Sequence, residues 1–193
     1  FRSSGLKLDE RGYVTVDGYG RTNLDGVWAL GDITPGHALA HRAFEQGITI
    51  AEKIAGADPK PVLDDTVPQV VFSFPEAASV GLTLDQAKAR EDVVEPKETA
   101  YPMLSNARML MSGEGGSMTV VSGAFANNPD MQVVLGVHIV SPIASDLIAE
   151  AEQLVGNRVP LADAARLIHP HPTFSETLGE ALLKADGRPL HTR

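Results

Sequence analysis

The most informative stretch of this sequence is His169-Pro170-His171-Pro172-Thr173-Phe174-Ser175-Glu176. Each proline fixes its own φ and pushes the histidine before it into an extended conformation. A rigid extended segment of this kind would hold an imidazole at a set position. A helix is expected to follow from Ser175 to about Ala185, with Gly187 after its end. The stretch therefore predicts an ordered histidine immediately before a helix.

Three interpretations of this stretch stay open on the residues alone. Thr173 and Glu176 fit a capping box, in which Glu176 only closes the helix end. Glu176 could instead hydrogen-bond His171, fix its tautomer and stabilise its imidazolium, which is how a histidine base is prepared. His169 and His171 form a His-x-His pair that can bind zinc, but no third ligand at a sensible spacing is evident and the chain has no cysteine.

The residues from 67 onward indicate a complete domain of strands and helices. Strands are expected at 67–74, 117–122 and 132–140, the last two joined across a turn at 127–130. The glycine-rich run 112–117 is interpreted as a hairpin turn, because no Lys-Ser/Thr follows it as in a phosphate loop.

Helices are expected between and after these strands. Thr83 and Gln86 match a capping box, an apolar stripe covers 144–155, and Pro160 suits a first helical turn. The predicted fold class is α+β, with a mixed or antiparallel sheet flanked by helices. Roughly 125 residues are enough to bury a core of their own.

A linker rich in proline, glycine and acids, residues 56–66, precedes this domain. Short strands are expected before it at 13–16 and 27–30; the second is wholly apolar, as in a parallel sheet. Apolar residues at helical spacing then predict a helix that Gly56 ends. The predicted organisation is the end of one domain over 1–60 and a second domain over 61–193.

Gly31 and Asp32 follow the apolar run directly. Ligands of parallel sheets sit beyond the carboxyl ends of the strands, where a carboxylate can accept hydrogen bonds from sugar or ribityl hydroxyls. The other interpretation is a common Gly-Asp turn that only caps the next segment.

Composition excludes several classes of function. The net charge is −9 with no basic cluster, so neither nucleic acid nor an anionic membrane is an expected partner. The absence of cysteine excludes disulfides, thiolate metal sites and a cysteine nucleophile within this chain. No signal peptide is visible, a cytoplasmic location is expected, and the first residues read like the middle of a longer protein.

Residues 27–32, followed by 38–47, resemble the last flavin-contacting motif of the pyridine nucleotide–disulfide oxidoreductases. The resemblance implies that Asp32 binds the ribityl chain of FAD. It further implies that Ala38, Leu39, Ala40 and His41 meet the flavin ring system, largely through backbone groups. Position 38 is often Met in that family and is Ala here. The first segment would then be the tail of a FAD-binding α/β domain.

The segment 171–176 resembles the His-Pro-Thr-x-Ser-Glu signature of the same family, and His169-Pro170 before it resembles the form found in dihydrolipoamide dehydrogenases. Thr177 stands where glutathione and trypanothione reductases usually have a second acid. The resemblance implies that His171 takes a proton from dihydrolipoamide while Glu176 orients and stabilises it. Segments 74–83, 135–140 and 145–148 resemble the interface domain of the family.

The resemblance also implies cofactors and partners. Electrons would pass from the dithiol to a cysteine pair, to FAD and then to NAD⁺, in a homodimer that serves the lipoyl domains of 2-oxoacid dehydrogenase complexes. This chain lacks the cysteine pair and the Gly-x-Gly-x-x-Gly fingerprint, so it is expected to be inactive alone. The alternatives are another FAD- and NAD(P)-linked disulfide reductase or a non-catalytic dimerisation module.

Overall fold

The structure, a computed structural model, describes residues 3–192 of the chain. The chain divides into two units, Phe1–Asp64 and Asp65–Arg193. This division falls inside the segment interpreted as a linker. The assignment of 1–60 and 61–193 to two domains stays a prediction.

The two strands expected in the first unit form only as isolated antiparallel bridges. The bridged pairs are Leu8 with Val14 and Arg21 with Trp28. A strand needs a ladder of consecutive hydrogen bonds to a neighbour, and neither run has such a ladder within residues 3–192. The strand predictions at 13–16 and 27–30 are therefore wrong for the described chain.

Helix α1, Ala40–Ile54, confirms the helix predicted from apolar spacing in the first unit. Its buried positions include Thr49 and Ile50. Gly56 follows with φ at 85°, a left-handed conformation that glycine adopts without a steric penalty and that ends many helices. The predicted end of the helix is therefore also confirmed.

The second unit is built on one five-stranded sheet. The strands are β1 (Gln69–Val71), β2 (Glu76–Gly81), β3 (Val93–Pro102), β4 (Ser117–Phe125) and β5 (Asn128–Ser141). Their order is β1-β2-β5-β4-β3, and all four neighbouring pairs are antiparallel. The antiparallel sheet is confirmed, but β2 and β3 were not predicted as strands, and the strand expected at 67–74 shrinks to β1.

Five helices accompany the sheet: α2 (Leu84–Ala89), α3 (Ala107–Ser112), α4 (Ala144–Gly156), α5 (Leu161–Ala164) and α6 (Glu176–Ala185). Helix α2 opens with the predicted capping box between Thr83 and Gln86. The hairpin turn predicted at 112–117 is wrong. Helix α3 precedes β4 there, and Gly113 caps that helix with φ at 70°. No helix within residues 3–192 is long and apolar enough to cross a membrane.

Helices α4 and α6 pack on the sheet and form the main core. Helix α4 contacts β2 and β5, while α6 contacts β3 and β4. Buried apolar residues at this contact include Met118, Val120, Val137, Ile139, Leu147, Ile148, Leu178 and Leu182. Because Leu178 and Leu182 are almost fully buried, the sheet fixes the position of α6 and of the residues at its start.

Candidate active site

The first turns of α6 present two carboxylates beside its buried face. Leu178, Ala181 and Leu182 face the core at spacings of three and four residues. Glu176 and Glu180 are four residues apart, so they lie on one side of the helix, one turn apart. Packing of the apolar stripe therefore determines where both carboxylates point.

Glu176 uses both of its oxygens on the loop before the helix. Its Oε1 lies 2.9 Å from Nδ1 of His171, and its Oε2 accepts a 2.7 Å hydrogen bond from the backbone N–H of Thr173. The Thr173 hydroxyl donates to the carbonyl of Pro170 at 2.6 Å, and the N-cap residue, Ser175, makes no side-chain cap bond. Only the Glu176 half of the predicted capping box forms, together with the His171–Glu176 contact.

The hydrogen bonds of this pair fix the tautomer of His171. Burial raises the pKa of Glu176, but the hydrogen bonds from Thr173 and His171 outweigh it and lower that pKa below its ordinary value. An ionised carboxylate only accepts hydrogen bonds, so Nδ1 of His171 carries the proton. In the neutral ring Nε2 is then the free acceptor, and the imidazole is 70% exposed. This arrangement can take a proton from an incoming acid.

His169 points to a different carboxylate. Its Nε2 lies 2.7 Å from Oε1 of Glu150 on α4, and its ring is only 10% exposed. The hydrogen bond to Glu150 raises the pKa of His169, although burial opposes this. His169 and His171 therefore do not converge on one point, and the described residues contain no group of three or more His, Cys, Asp or Glu that could hold a metal ion.

Asn106 ties the histidine loop to α3. Its Nδ2 donates to the carbonyl of Thr173 at 3.1 Å, and its Oδ1 accepts from the N–H of Met109 at 3.1 Å, as the N-cap of α3. The side chain is almost fully buried. Sequence reasoning missed this residue, although an asparagine before a short helical run is a recognisable capping signal.

A cavity of about 160 Å³ lies beside the pair. It is lined by Ser105, Asn106, Ala107, Leu110, His171, Glu176, Glu180 and His191. One wall carries the apolar side chains of α3, and the other carries imidazoles and carboxylates. Glu180 and His191 were not singled out from the sequence; the four-residue spacing from Glu176 was the available signal for Glu180.

The first unit holds the residues predicted to contact a flavin. Asp32 is exposed in a 3-10 turn, Gly31–Ile33, whose first residue has φ at 70°. Gln46 of α1 accepts a 2.9 Å hydrogen bond from the N–H of Gly31 and so fixes this turn. The turn and α1 therefore hold Asp32 at the surface of the unit.

The start of α1 carries the other four predicted residues. Ala38, Ala40 and His41 are exposed, Leu39 is half-buried, and no side chain caps the helix at Leu39. A helix N-terminus without a side-chain cap suits a polar ligand group. Buried Arg42 donates to the carbonyl of Pro35 in the preceding loop and to the carboxylate of Asp64 beyond the helix. Sequence reasoning missed both contacts.

Comparison with known proteins agrees with this fold. Residues 67–182 match the pyridine nucleotide-disulphide oxidoreductase dimerisation domain, and residues 1–47 match a second model described as pyridine nucleotide-disulphide oxidoreductase. The chain belongs to the pyridine nucleotide–disulphide oxidoreductase family.

Within this family, the chain is similar to proteins named dihydrolipoyl dehydrogenase. It is 41% identical over 189 residues to a dihydrolipoyl dehydrogenase of Cupriavidus necator, covering 97% of this chain and 38% of that protein. It is 38% identical over 185 residues to the enzyme of the same name in Bacillus subtilis, covering 95% of this chain and 38% of that protein. The chain thus spans about two fifths of the length of these relatives.

Solved structures show the same architecture. LpdA from Mycobacterium tuberculosis superposes with a TM-score of 0.83 at 31% identity, over 94% of this chain and 38% of that one. The flavoprotein disulfide reductase RclA from Escherichia coli superposes with a TM-score of 0.77 at 22% identity, over 94% of this chain and 40% of that one, which shows the fold alone.

Proposed function

We propose that this chain is part of a longer FAD-dependent dihydrolipoamide dehydrogenase, which oxidises dihydrolipoamide with NAD⁺. The observation that carries the proposal is the His171–Glu176 pair, in which both carboxylate oxygens are engaged and Nε2 of the imidazole is left basic. The relatives named dihydrolipoyl dehydrogenase, at 36–41% identity over nearly the whole chain, support the choice of substrate.

His171 acts as the base in this proposal. Its Nε2 takes the proton of a substrate thiol, because thiolate rather than thiol is the nucleophile toward a disulfide. Glu176 stabilises the imidazolium that results, through the hydrogen bond to Nδ1. The cysteine pair that the thiolate attacks belongs to a part of the protein outside this chain, which has no cysteine.

The first unit contributes to FAD binding. The exposed carboxylate of Asp32 accepts hydrogen bonds from the ribityl chain, and residues 38–41 meet the ring system at the start of α1. Gly31 has φ at 70°, a conformation that glycine adopts without strain, and an added Cβ would meet that of Ala43 at an ordinary contact distance of 3.4 Å, so the turn needs glycine for its φ. The flavin, when bound, carries electrons between thiols and NAD⁺.

The partners and location follow from the same proposal. The protein forms a homodimer through the second unit, whose family model describes a dimerisation domain. It serves lipoyl domains of 2-oxoacid dehydrogenase complexes in the cytoplasm. Relatives in Arabidopsis thaliana and Pisum sativum are mitochondrial by name, so location is tested separately by fractionating the source cells.

The test is NAD⁺ reduction by the flavin-loaded, full-length protein, with dihydrolipoamide as donor and glutathione in parallel. Fast reduction with dihydrolipoamide alone is expected. His171→Gln should lower the rate about a hundredfold or more, as loss of a general base does. His138→Gln is the matched control, because its amide can keep the hydrogen bond to the carbonyl of Leu82, and it should retain the wild-type rate.

Two results would contradict the proposal. If flavin-loaded wild-type protein reduced NAD⁺ only with glutathione, the substrate assigned here would be wrong, although the protein would still be a disulfide reductase. A His171→Gln variant with the wild-type rate would remove the base assigned here. The 193-residue chain alone is expected to bind FAD poorly and to produce no NADH, and a bright yellow, active fragment would refute that expectation.

A further inference from the structure

Helix α6 carries a second carboxylate–imidazole pair, one turn beyond the first. Oε1 of Glu180 lies 2.7 Å from Nδ1 of His191, and Oε2 accepts a 3.2 Å hydrogen bond from the backbone N–H of His191. Glu176 makes the same two kinds of contact, with Nδ1 of His171 and the N–H of Thr173. Each carboxylate thus holds both an imidazole and the backbone of the adjoining segment.

The two pairs share their pattern of exposure as well. The side chains of Glu176 and Glu180 are 20% and 10% exposed, whereas the imidazoles they hold are 70% and 63% exposed. Because a carboxylate oxygen accepts the hydrogen bond at this contact, Nδ1 of His191 also carries its proton. Nε2 of His191 is therefore the basic nitrogen of its neutral ring, as in His171.

Both pairs line the same cavity of about 160 Å³. A water molecule occupies about 30 Å³ of liquid, so the cavity admits a small group of atoms rather than a single water. Asn106 and Leu110 form its wall on the α3 side. Two bases of the same tautomer at one small cavity suit a reaction that releases two protons.

We propose that His191, held by Glu180, is a second proton-accepting residue of this site. The inference rests on the proposed function, since oxidation of a dithiol to a disulfide releases two electrons and two protons. His171 takes the proton of one thiol, and the resulting thiolate attacks the cysteine disulfide of the longer protein. That S–S bond breaks, a mixed disulfide forms and one cysteine thiolate leaves.

His191 takes the proton of the second substrate thiol. The new thiolate attacks the mixed disulfide, the substrate disulfide closes and the second cysteine thiolate leaves. The two electrons then reside on the cysteine pair, and the two protons reside on the two imidazoles.

The other titratable groups around His191 do not replace it as an acceptor. Glu176 and Glu180 each hold a ring through Nδ1, and His171 is already assigned to the first thiol. Tyr101 on β3 is fully buried, and burial together with the charges of Glu180 and Glu176 raises its pKa to about 12. Tyr101 therefore keeps its proton at physiological pH.

The experiment is single-turnover flavin reduction by dihydrolipoamide in the full-length, flavin-loaded protein between pH 6 and 9. In His191→Asn the amide can still donate to Glu180, but the base is lost. The rate at neutral pH should fall about tenfold to a hundredfold, and the deficit should shrink as rising pH ionises the thiol in solution. In His191→Ala, free imidazole should restore much of the rate. The control is Arg188→Ala, which lies in the same segment, pairs with Asp186 and should leave the rate unchanged.

The outcomes separate the two proposals. An active wild type with a His191→Asn variant of equal rate and equal pH profile overturns the role of His191 and leaves the proposed function intact. The role of His191 is also overturned if His191→Ala is slow and imidazole does not rescue it while His191→Asn has the normal rate. His191 would then only hold the C-terminal segment in place. Flavin-loaded wild type that dihydrolipoamide does not reduce overturns both.

Discussion

Replacing Gly179 by alanine should destabilise the protein, although alanine is the better helix former. Gly179 lies within α6, and a Cβ added there would come 2.5 Å from Nδ1 and 2.9 Å from Cε1 of His169. The His169 ring is 10% exposed and its Nε2 is bonded to Glu150 at 2.7 Å. The ring cannot move aside without giving up that hydrogen bond.

The opposing effects can be weighed. Alanine gains about 1 kcal/mol over glycine in a helix interior. Overpacking a filled site costs about 1–3 kcal/mol. A hydrogen bond to a charged group is worth about 1.5–3 kcal/mol, and the lower end applies here because Glu150 is 36% exposed. The two losses overlap, since moving the ring relieves the clash, so a net destabilisation of about 1–2 kcal/mol is expected.

Urea unfolding of the 193-residue chain, followed by circular dichroism, measures the effect. A loss of this size also lowers the melting temperature by about 2–8 °C in a chain of this length. The same substitution in a His169→Ala background is the internal control. The space is then open, so Gly179→Ala should stabilise by up to about 1 kcal/mol. Equal effects in both backgrounds, or stabilisation of the wild type, would refute the packing argument.

Three further predictions concern contacts around the sheet and the histidine loop. The pKa of His169 is raised in the folded protein, so its pairing with Glu150 contributes its full stabilisation below about pH 6.5. This stabilisation is lost as the pH rises through the folded pKa. The urea midpoints of wild type and Glu150→Gln should therefore differ more at pH 6 than at pH 9. The N–H of Ser145 lowers the pKa of Glu76, so Glu76→Gln should melt earlier at neutral pH, with the difference fading in melts recorded as pH falls through the folded pKa. Asn106→Ala should cost about 1–3 kcal/mol and speed amide hydrogen exchange in residues 173–178. Unchanged exchange would contradict the role of the Asn106–Thr173 hydrogen bond in holding the loop.

Most helices were predictable from this sequence because their signals are local, although α3 was not predicted. The apolar stripes of α4 and α6 repeat at three and four residues, and burial follows them. In α1 the spacing predicted the helix, but Phe44 and Ile54 of its stripe are exposed. Strand β3 was missed because it contains Pro96 and Pro102 along with charged residues, a composition that argues against a strand. It forms nonetheless as an edge strand paired with β4, and that pairing is a tertiary effect.

Contacts in the candidate site likewise divide into local ones, which the sequence could predict, and ones between distant residues, which it could not. His171 and Glu176 are five residues apart, so their contact could be anticipated from the loop and the helix start. Asn106 lies 67 residues from Thr173, and the fold alone brings them together. The runs 13–16 and 27–30 show the converse, since apolar character without a pairing partner gave only bridges. The flavin contacts of Asp32 and residues 38–41 stay predictions.

Glu176 secures the first turn of α6 and the imidazole of His171 with one carboxylate. Fraying of that turn would therefore disorient the imidazole at the same moment. In the proposed enzyme, activity would then be lost on heating at a temperature set by these few residues rather than by the melting of the whole domain. Substitutions that strengthen this single turn would widen the working temperature range while leaving the global unfolding midpoint almost where it was.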